Sequence, residues 1–226
     1  MTLYPKNLIV TIDGPSGAGK STIASALASE LNGKKLDTGA IYRSFAYFLK
    51  SQNISMEDTE RLFKEAENFR CKFQENGKIL LNGEDISQKI RTPEVSSEAS
   101  KVASVPVVRQ GLLNLQRELA ENGPTVCEGR DMGTVVFPEA TVKFFLTASP
   151  EVRAERRYEE LKAKGNKQVT YEQILEDQKE RDYRDSHREI APLKRPEDAV
   201  LIDSDNKTIR EIVDFCLSVI ENKLKK

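Results

Sequence analysis

Cysteine is the first residue type that this sequence has little of. Its three cysteines, Cys71, Cys127 and Cys216, are odd in number, widely spaced and without a CxxC pair. A disulfide framework or a structural zinc site would need paired cysteines, so we expect neither. The first residues also lack the charged start, apolar run and small-residue cleavage site of a signal peptide. Both observations indicate a cytoplasmic protein with reduced thiols.

The chain also lacks an excess of either charge and any long apolar run. It has 35 Lys and Arg against 36 Asp and Glu, a net charge of −1, whereas proteins that bind nucleic acid normally carry a basic excess. No apolar segment approaches the roughly 20 residues needed to span a bilayer. We therefore expect no nucleic-acid partner and no membrane partner.

What is present is an alternation of short β-branched runs with longer segments of helical periodicity. The run 7–12 ends at a glycine-rich stretch, and 21–31 then repeats apolar residues at helical spacing. Three further runs predict strands and three segments predict helices: 125–127, 142–146 and 199–202, and 107–121, 150–164 and 207–226. This order predicts an α/β fold in which helices cover both faces of a parallel sheet.

Two segments interrupt the alternation. The runs FRCKFQ and KILLN flank Glu75-Asn76-Gly77, and Asn-Gly between such runs predicts an antiparallel hairpin. We interpret residues from about 55 to 104 as an inserted subdomain. The segment 153–188 is rich in Arg, Lys and Glu, which is typical of a solvated helical surface and also fits a mobile lid. The remaining residues, 1–54, 105–152 and 189–226, would form the core of a single domain.

The strongest motif is GPSGAGKS, which matches the phosphate-binding pattern G-x-x-x-x-G-K-[ST] between a predicted strand and a predicted helix. Its glycines let backbone N–H groups converge on phosphate oxygens, and the helix N-terminus adds partial positive charge. Lys20 would neutralise the β- and γ-phosphates of ATP, and the Ser21 hydroxyl would ligate Mg²⁺. Asp13 could orient Mg²⁺-bound water or could equally be a strand-end carboxylate. The predicted ATP-binding residues are Gly14, Pro15, Ser16, Gly17, Ala18, Gly19, Lys20, Ser21 and Thr22.

A phosphate-binding loop does not by itself choose among nucleotide-dependent proteins. GTPases typically read guanine with [NT]KxD, but the nearest string, Asn206-Lys207-Thr208-Ile209, ends in isoleucine. A length of 226 residues leaves no room for the added domains of a motor or transporter. A kinase is the remaining interpretation.

Three further motifs narrow the kind of kinase. They are LDTGAIYR from Leu36, EGRDMGTVVFP from Glu128 and ERDYRDSHR from Glu180, the last followed by APL. Together with GPSGAGKS and the segment 94–109, they closely resemble the bacterial cytidylate kinase family over essentially the whole chain. The resemblance implies the nucleoside-monophosphate kinase fold: a five-stranded parallel core, a lid, and an enlarged acceptor subdomain holding the hairpin. It also implies ATP-dependent phosphorylation of CMP and dCMP with Mg²⁺ in pyrimidine metabolism, and we expect a monomer.

The resemblance also implies roles for individual residues. Thr38, Arg109 and Asp131 would contact cytosine, Arg43 and Arg130 the acceptor phosphate, and Ser100, Arg181 and Asp185 the ribose, with Tyr42 at the border of the site. The predicted catalytic residues are Lys20, Arg130, Arg184 and Arg188, and Arg153 or Arg157 could join them as the lid closes. The family often has serine in place of Thr38, and many members have aspartate in place of Glu128.

Physical chemistry supports the assignment of Asp131 to the base. A carboxylate accepts a hydrogen bond from the exocyclic amino group of cytosine, whereas uracil presents an oxygen at that position. A wrong base would leave the buried carboxylate unpaired, so discrimination can be large.

Two other functions remain open on the sequence. One is a P-loop kinase for another small acceptor, such as shikimate or a different nucleotide, against which EGRD and ERDYRDSHR argue. The other is a non-catalytic nucleotide sensor, against which the intact Lys20, Ser21 and arginine set argues. Steady ATP turnover that depends on CMP would separate these functions.

Overall fold

The computed structural model describes residues 4–74, 77–163, 165 and 169–225. Its strands are β1 (Ile9–Asp13), β2 (Lys34–Asp37), β3 (Lys72–Phe73), β4 (Ile79–Leu81), β5 (Glu84–Asp85), β6 (Thr125–Gly129), β7 (Val142–Thr147) and β8 (Val200–Asp203). Its α-helices are α1 (Lys20–Glu30), α2 (Thr38–Ser51), α3 (Thr59–Asn68), α4 (Pro93–Val102), α5 (Pro106–Leu119), α6 (Pro150–Ala163), α7 (Tyr171–His187) and α8 (Ile209–Leu224). The chain divides into two compact units, Asp37–Ala120 and the remainder.

The larger unit is built on a parallel sheet with the strand order β2-β6-β1-β7-β8. In its centre β1 pairs with β6 on one side and with β7 on the other, so that Val10 lies beside both Val126 and Val142. The prediction of an α/β fold with a five-stranded parallel sheet is confirmed. Parallel strands place their carboxyl ends at one edge, where ligands bind in such sheets. The phosphate-binding loop leaves β1 at that edge.

The core of this unit is formed by apolar side chains of its central strands. Val10, Ile12, Phe144 and Leu146 are at most 1% exposed and pack in one cluster with side chains of α1 and α8. Burying each such side chain contributes roughly 1.5–3 kcal/mol. Cys216 lies in the same cluster, and burial raises the pKa of its thiol to about 12, so it is a small core residue and not a reactive one.

The smaller unit, Asp37–Ala120, is mainly helical, with α3 against α5 and α2 against α4. Gly111 permits the first of these contacts, because a Cβ at this position would lie 2.6 Å from the Cβ of Ala66. The unit extends beyond the predicted insert, 55–104, at both ends. The reason is that α2 precedes the insert and α5 follows it, and each packs on a helix within it. The division into core, insert and lid stays a prediction.

The predicted hairpin is present in this unit. β3, β4 and β5 form an antiparallel sheet, with Phe73 opposite Ile79. The turn residues Glu75 and Asn76 of the prediction lie outside the described residues.

The segment predicted as a lid, 153–188, contains most of α6 and all of α7, and the two helices pack on each other. A capping box starts α7, since the Thr170 hydroxyl accepts from the Gln173 backbone N–H and the Gln173 side chain accepts from the Thr170 N–H. Of the predicted turn, Gly165 is described and has φ +81°, whereas Asn166 lies outside the described residues. No helix in the described part of the chain has the length and apolar character needed to cross a membrane.

Candidate active site

The phosphate-binding loop takes a backbone path that depends on glycine. Gly14, Gly17 and Gly19 have φ angles of +150°, +78° and +91°, values that residues with a Cβ rarely adopt. A Cβ at Gly14 would also lie 1.9 Å from the carbonyl oxygen of Leu146. The loop therefore lies close to β7 and leads directly into α1, which begins at Lys20. The N-terminus of α1 is thus placed to bind a phosphate group held by the loop.

The side chain of Lys20 is buried in positively charged surroundings. It donates to the Pro15 carbonyl at 2.6 Å, and only 7% of the residue is exposed. Burial, followed by repulsion from Arg130, lowers the pKa of Lys20 well below its usual value, although Glu128 counteracts this in part. A phosphate group beside Lys20 and Arg130 would remove the repulsion, so the local charge favours binding of an anion.

Asp13 ties the phosphate-binding loop to the EGRDMG motif. Its carboxylate accepts from the backbone N–H groups of Met132 (2.8 Å) and Gly133 (2.7 Å) and is fully buried. These donors begin a single turn of π-helix, Met132–Val136, that follows β6. Both carboxylate oxygens engage the backbone, which supports the structural alternative for Asp13 over the orientation of metal-bound water.

The burial of Asp13 predicts a pH-dependent stability. Burial raises the pKa of Asp13 to about 6, even though its two backbone hydrogen bonds lower it. Between the unfolded value and this one the folded state binds more protons, so stability present at low pH is lost as the pH rises through about 6. At about 1.4 kcal/mol per pKa unit, the full effect is about 3 kcal/mol, of which about 2.4 kcal/mol falls between pH 4 and pH 7.

Asp13→Asn cannot titrate and isolates this contribution. The free energy of unfolding of the wild type minus that of Asp13→Asn should fall by about 2–3 kcal/mol from pH 4 to pH 7. Urea unfolding of both proteins at each pH measures the difference, which cancels the other carboxylates. A difference that does not fall with pH would show that folding does not raise the pKa of Asp13.

Three arginines surround Asp185 on α7. The Nε of Arg130 donates to Asp185 Oδ2 at 2.9 Å, and Arg181 and Arg188 are near enough to act on the same carboxylate. Burial would raise the pKa of Asp185, but the combined attraction of the arginines lowers it below the usual range. Even with Arg188 also beside Asp131, Arg130 and Arg181 leave a local positive excess around Asp185 that suits a phosphate ligand. The structure thus brings together four predicted site residues: Arg130, Arg181, Asp185 and Arg188.

The predicted base reader, Asp131, lies beside Arg188. The Arg188 guanidinium is 3.5 Å from Asp131 Oδ1, with exposed side-chain fractions of 5% and 3%. Arg188 is held there by donating from Nε to the Ala191 carbonyl at 2.6 Å. A buried charged pair therefore lies at the end of β6. The predicted catalytic role of Arg188 stays a prediction, and its position next to Asp131 is an additional finding.

Arg153 joins the helices of the predicted lid to the phosphate-binding loop. It donates to the Ser16 carbonyl at 2.9 Å and pairs with Asp182 of α7 at 2.6 Å, and it is only 3% exposed. Arg157, by contrast, pairs with Glu160 at the surface of α6. The motif spacing gave no signal for the Arg153 contact, because Ser16 is 137 residues away in sequence. Arg184, the remaining predicted lid arginine, is partly exposed on α7.

The other predicted acceptor residues lie in the unit Asp37–Ala120. Arg43 pairs with Asp37 at 3.1 Å, and Asp37 also caps α2 by accepting from Ala40 N–H. The Arg109 guanidinium lies over the Tyr42 ring, 5.5 Å from its centroid, a cation–π contact that holds both side chains. The remaining two predicted residues of this unit are buried, at the start of α2 and on α4: Thr38 and Ser100.

Ser21 has a neighbour that the sequence did not indicate. The ammonium of Lys35, on β2, donates to the Ser21 hydroxyl at 2.9 Å and lies 3.6 Å from Glu128 Oε1. A hydroxyl and a carboxylate are hard oxygen donors of the type that Mg²⁺ prefers. The chemistry of these two side chains therefore fits a magnesium ion, and Lys35 contacts both of them.

Comparison with known proteins gives one consistent family. The family model described as Cytidylate kinase matches residues 10–222. A Clostridium tetani protein named cytidylate kinase is 48% identical over 219 residues, covering 97% of this chain and 96% of its own. A Thermosipho melanesiensis protein of the same name is 48% identical over 217 residues, covering 96% and 98%. A solved structure of an uncharacterized protein from Eubacterium ventriosum aligns with a TM-score of 0.53 and 14% identity, covering 96% of this chain and 99% of its own, which shows likeness of fold alone. The extent and identity of the family match show that the chain belongs to the cytidylate kinase family.

Proposed function

We propose that this protein transfers the γ-phosphoryl group of ATP to CMP, and also to dCMP, in pyrimidine nucleotide metabolism, as a cytoplasmic monomer. The main support for the proposal is that the phosphate-binding loop and the Arg130-Asp131 pair lie at the same edge of the sheet. The phosphate-binding loop and the Arg130-Asp131 pair leave neighbouring strands, β1 and β6, at their carboxyl ends, and Asp13 bonds one to the other.

On the donor side, the backbone of the Gly14–Ser21 loop would bind the phosphates of ATP. Lys20 would contact the β- and γ-phosphates, where its charge offsets that of the nucleotide. Its lowered pKa supports this role, because a phosphate neighbour would restore the charged form that burial and Arg130 disfavour.

On the acceptor side, Arg130 and Arg43 would hold the phosphate of CMP, since a guanidinium grips two oxygens at once. An oxygen of that phosphate attacks the γ-phosphorus, a new P–O bond forms, and the bond to the β–γ bridging oxygen breaks to release ADP. The attacking phosphate has a second pKa of about 6 and is largely ionised at neutral pH, so no general base is required. Arg184 and Arg188 would stabilise the charge that is transferred.

The base would be read by Asp131, with Arg109 and Thr38 contributing. Asp131 is 2% exposed, so a base that cannot donate to it would leave a buried carboxylate without compensation. Ser100, Arg181 and Asp185 would contact the ribose.

Magnesium would accompany ATP, with the Ser21 hydroxyl as a protein ligand and the Glu128 carboxylate close by. When bound, the ion supplies positive charge to the phosphate oxygens. The chain's own residues hold and orient the substrates, and closure of α6 and α7 over them would exclude water and limit ATP hydrolysis.

A coupled assay of ADP formation across nucleoside monophosphates tests the proposal. CMP and dCMP should support steady turnover, whereas UMP, AMP and GMP should give at most about a hundredth of the CMP efficiency, as expected when a buried polar group is left unpaired. Turnover with shikimate and none with CMP would contradict the proposal in favour of another acceptor. ATP binding without turnover of any acceptor would favour a sensor.

A further inference from the structure

The contact of Lys35 with Ser21 and Glu128 joins three elements of the larger unit: β2, α1 and β6. Lys35 is partly exposed, with 28% of its side chain exposed against 8% for Glu128. Glu128 also acts on Lys20, whose pKa it raises. The carboxylate therefore faces two lysines, and Lys35 is the one that also bonds the hydroxyl of Ser21.

We propose that Lys35 competes with the divalent cation for Ser21 and Glu128 and thereby raises the cation concentration that the enzyme needs. The inference rests on the proposed function, in which Ser21 is the magnesium ligand. An ammonium 2.9 Å from the Ser21 oxygen occupies one of its two acceptor directions and would repel a dication strongly at that distance. Both cations cannot hold this position, so Lys35 leaves when the metal binds. Its flexible, partly exposed side chain allows that movement.

Lys34 offers a matched control on the same strand. Successive side chains of a strand point to opposite faces, and the ammonium of Lys34 donates to the Glu121 carbonyl, away from Ser21. Lys34→Met and Lys35→Met remove the same charge from neighbouring positions, but only the second removes the contact with Ser21 and Glu128.

The test uses Mn²⁺ as a paramagnetic substitute for Mg²⁺ and the protein without nucleotide. Binding is measured as the decrease in the EPR signal of free Mn²⁺. Lys35→Met should bind Mn²⁺ about 3- to 10-fold more tightly than the wild type, a range that corresponds to the net strength of one typical hydrogen bond. Lys34→Met should remain within about twofold of the wild type, as expected of an exposed charge outside the site. Unchanged or weaker binding in Lys35→Met overturns the inference.

A second comparison tests whether the competition is local. In a Glu128→Gln background, Lys35→Met should give a smaller gain, because one of the two contested donors has lost its charge. An equal gain in both backgrounds would overturn the assignment to this site. Because Mn²⁺ binding requires no acceptor and no turnover, failure of CMP phosphorylation would leave this result standing, and failure here would leave the proposed function standing.

Discussion

Lys20→Met should lower kcat for CMP phosphorylation by at least about a hundredfold, the scale seen when one preorganised charge-stabilising donor is removed from an active site. The folded protein should be no less stable than the wild type. Burial and Arg130 already disfavour the charge on Lys20, and methionine fills a similar volume without that cost. Loss of activity and preserved stability together separate a role in phosphoryl transfer from a role in folding.

The experiment pairs steady-state kinetics with urea unfolding at pH 7. Lys207→Met is the control, because Lys207 is an exposed lysine whose contact is with the Asp203 carbonyl, and its kcat should match that of the wild type. ATP should also raise the melting temperature of the Lys20→Met protein less than that of the wild type, since binding stabilises the native state by mass action. A folded Lys20→Met enzyme with more than a tenth of normal kcat would rule out the proposed role of the phosphate-binding loop.

Asp131→Asn should change which base is accepted. Asparagine offers an NH₂ group that can donate to the carbonyl oxygen of uracil, whereas the native carboxylate only accepts. We expect kcat/KM for CMP to fall by a factor that corresponds to about 1.5–3 kcal/mol, the range for a hydrogen bond to a charged group in a shielded site. The ratio of kcat/KM for UMP to that for CMP should rise. The 3.5 Å contact with Arg188 also weakens, so a melting experiment should accompany the kinetics to confirm folding.

Arginines assigned to the phosphate provide the contrast for this experiment. Arg130→Ala and Arg43→Ala should lower kcat/KM for every acceptor alike, because all nucleoside monophosphates share the group that these residues bind. If Asp131→Asn lowers CMP and UMP turnover equally, Asp131 does not read the base.

Periodicity predicted the parts of the fold in which side-chain burial is regular. The runs that became β1, β6 and β7 are buried along most of their length, as expected of central strands in a parallel sheet. The run that became β8 was also predicted, although Leu201 on it is 51% exposed. The hairpin had its Asn-Gly signal. β2 gave no such signal, since Lys34 to Asp37 contains a single apolar residue, Leu36. Only the family resemblance implied a fifth strand. The π-helical turn after β6 was also missed, because its first donors are satisfied by Asp13, more than a hundred residues away.

The candidate site was predictable in composition but not in its pairings. Motifs identified which arginines and carboxylates to consider, yet two acids of one motif have different partners: Asp182 pairs with Arg153 and Asp185 with Arg130. Such choices depend on how α7 lies against α6 and β6, which no local pattern encodes. Lys35 was missed for the same reason, since a lysine on a short polar strand reads as an exposed residue.

The double hydrogen bond of Asp13 has a consequence for the entropy of catalysis. Because β1, its glycine loop and the turn that carries Asp131 are joined through one buried carboxylate, their mutual orientation is fixed when the chain folds. Substrates lose translational and rotational entropy when they bind to these segments, but the segments themselves lose little further conformational entropy. Part of the entropic cost of aligning the reacting groups is therefore incurred during folding, before either nucleotide binds.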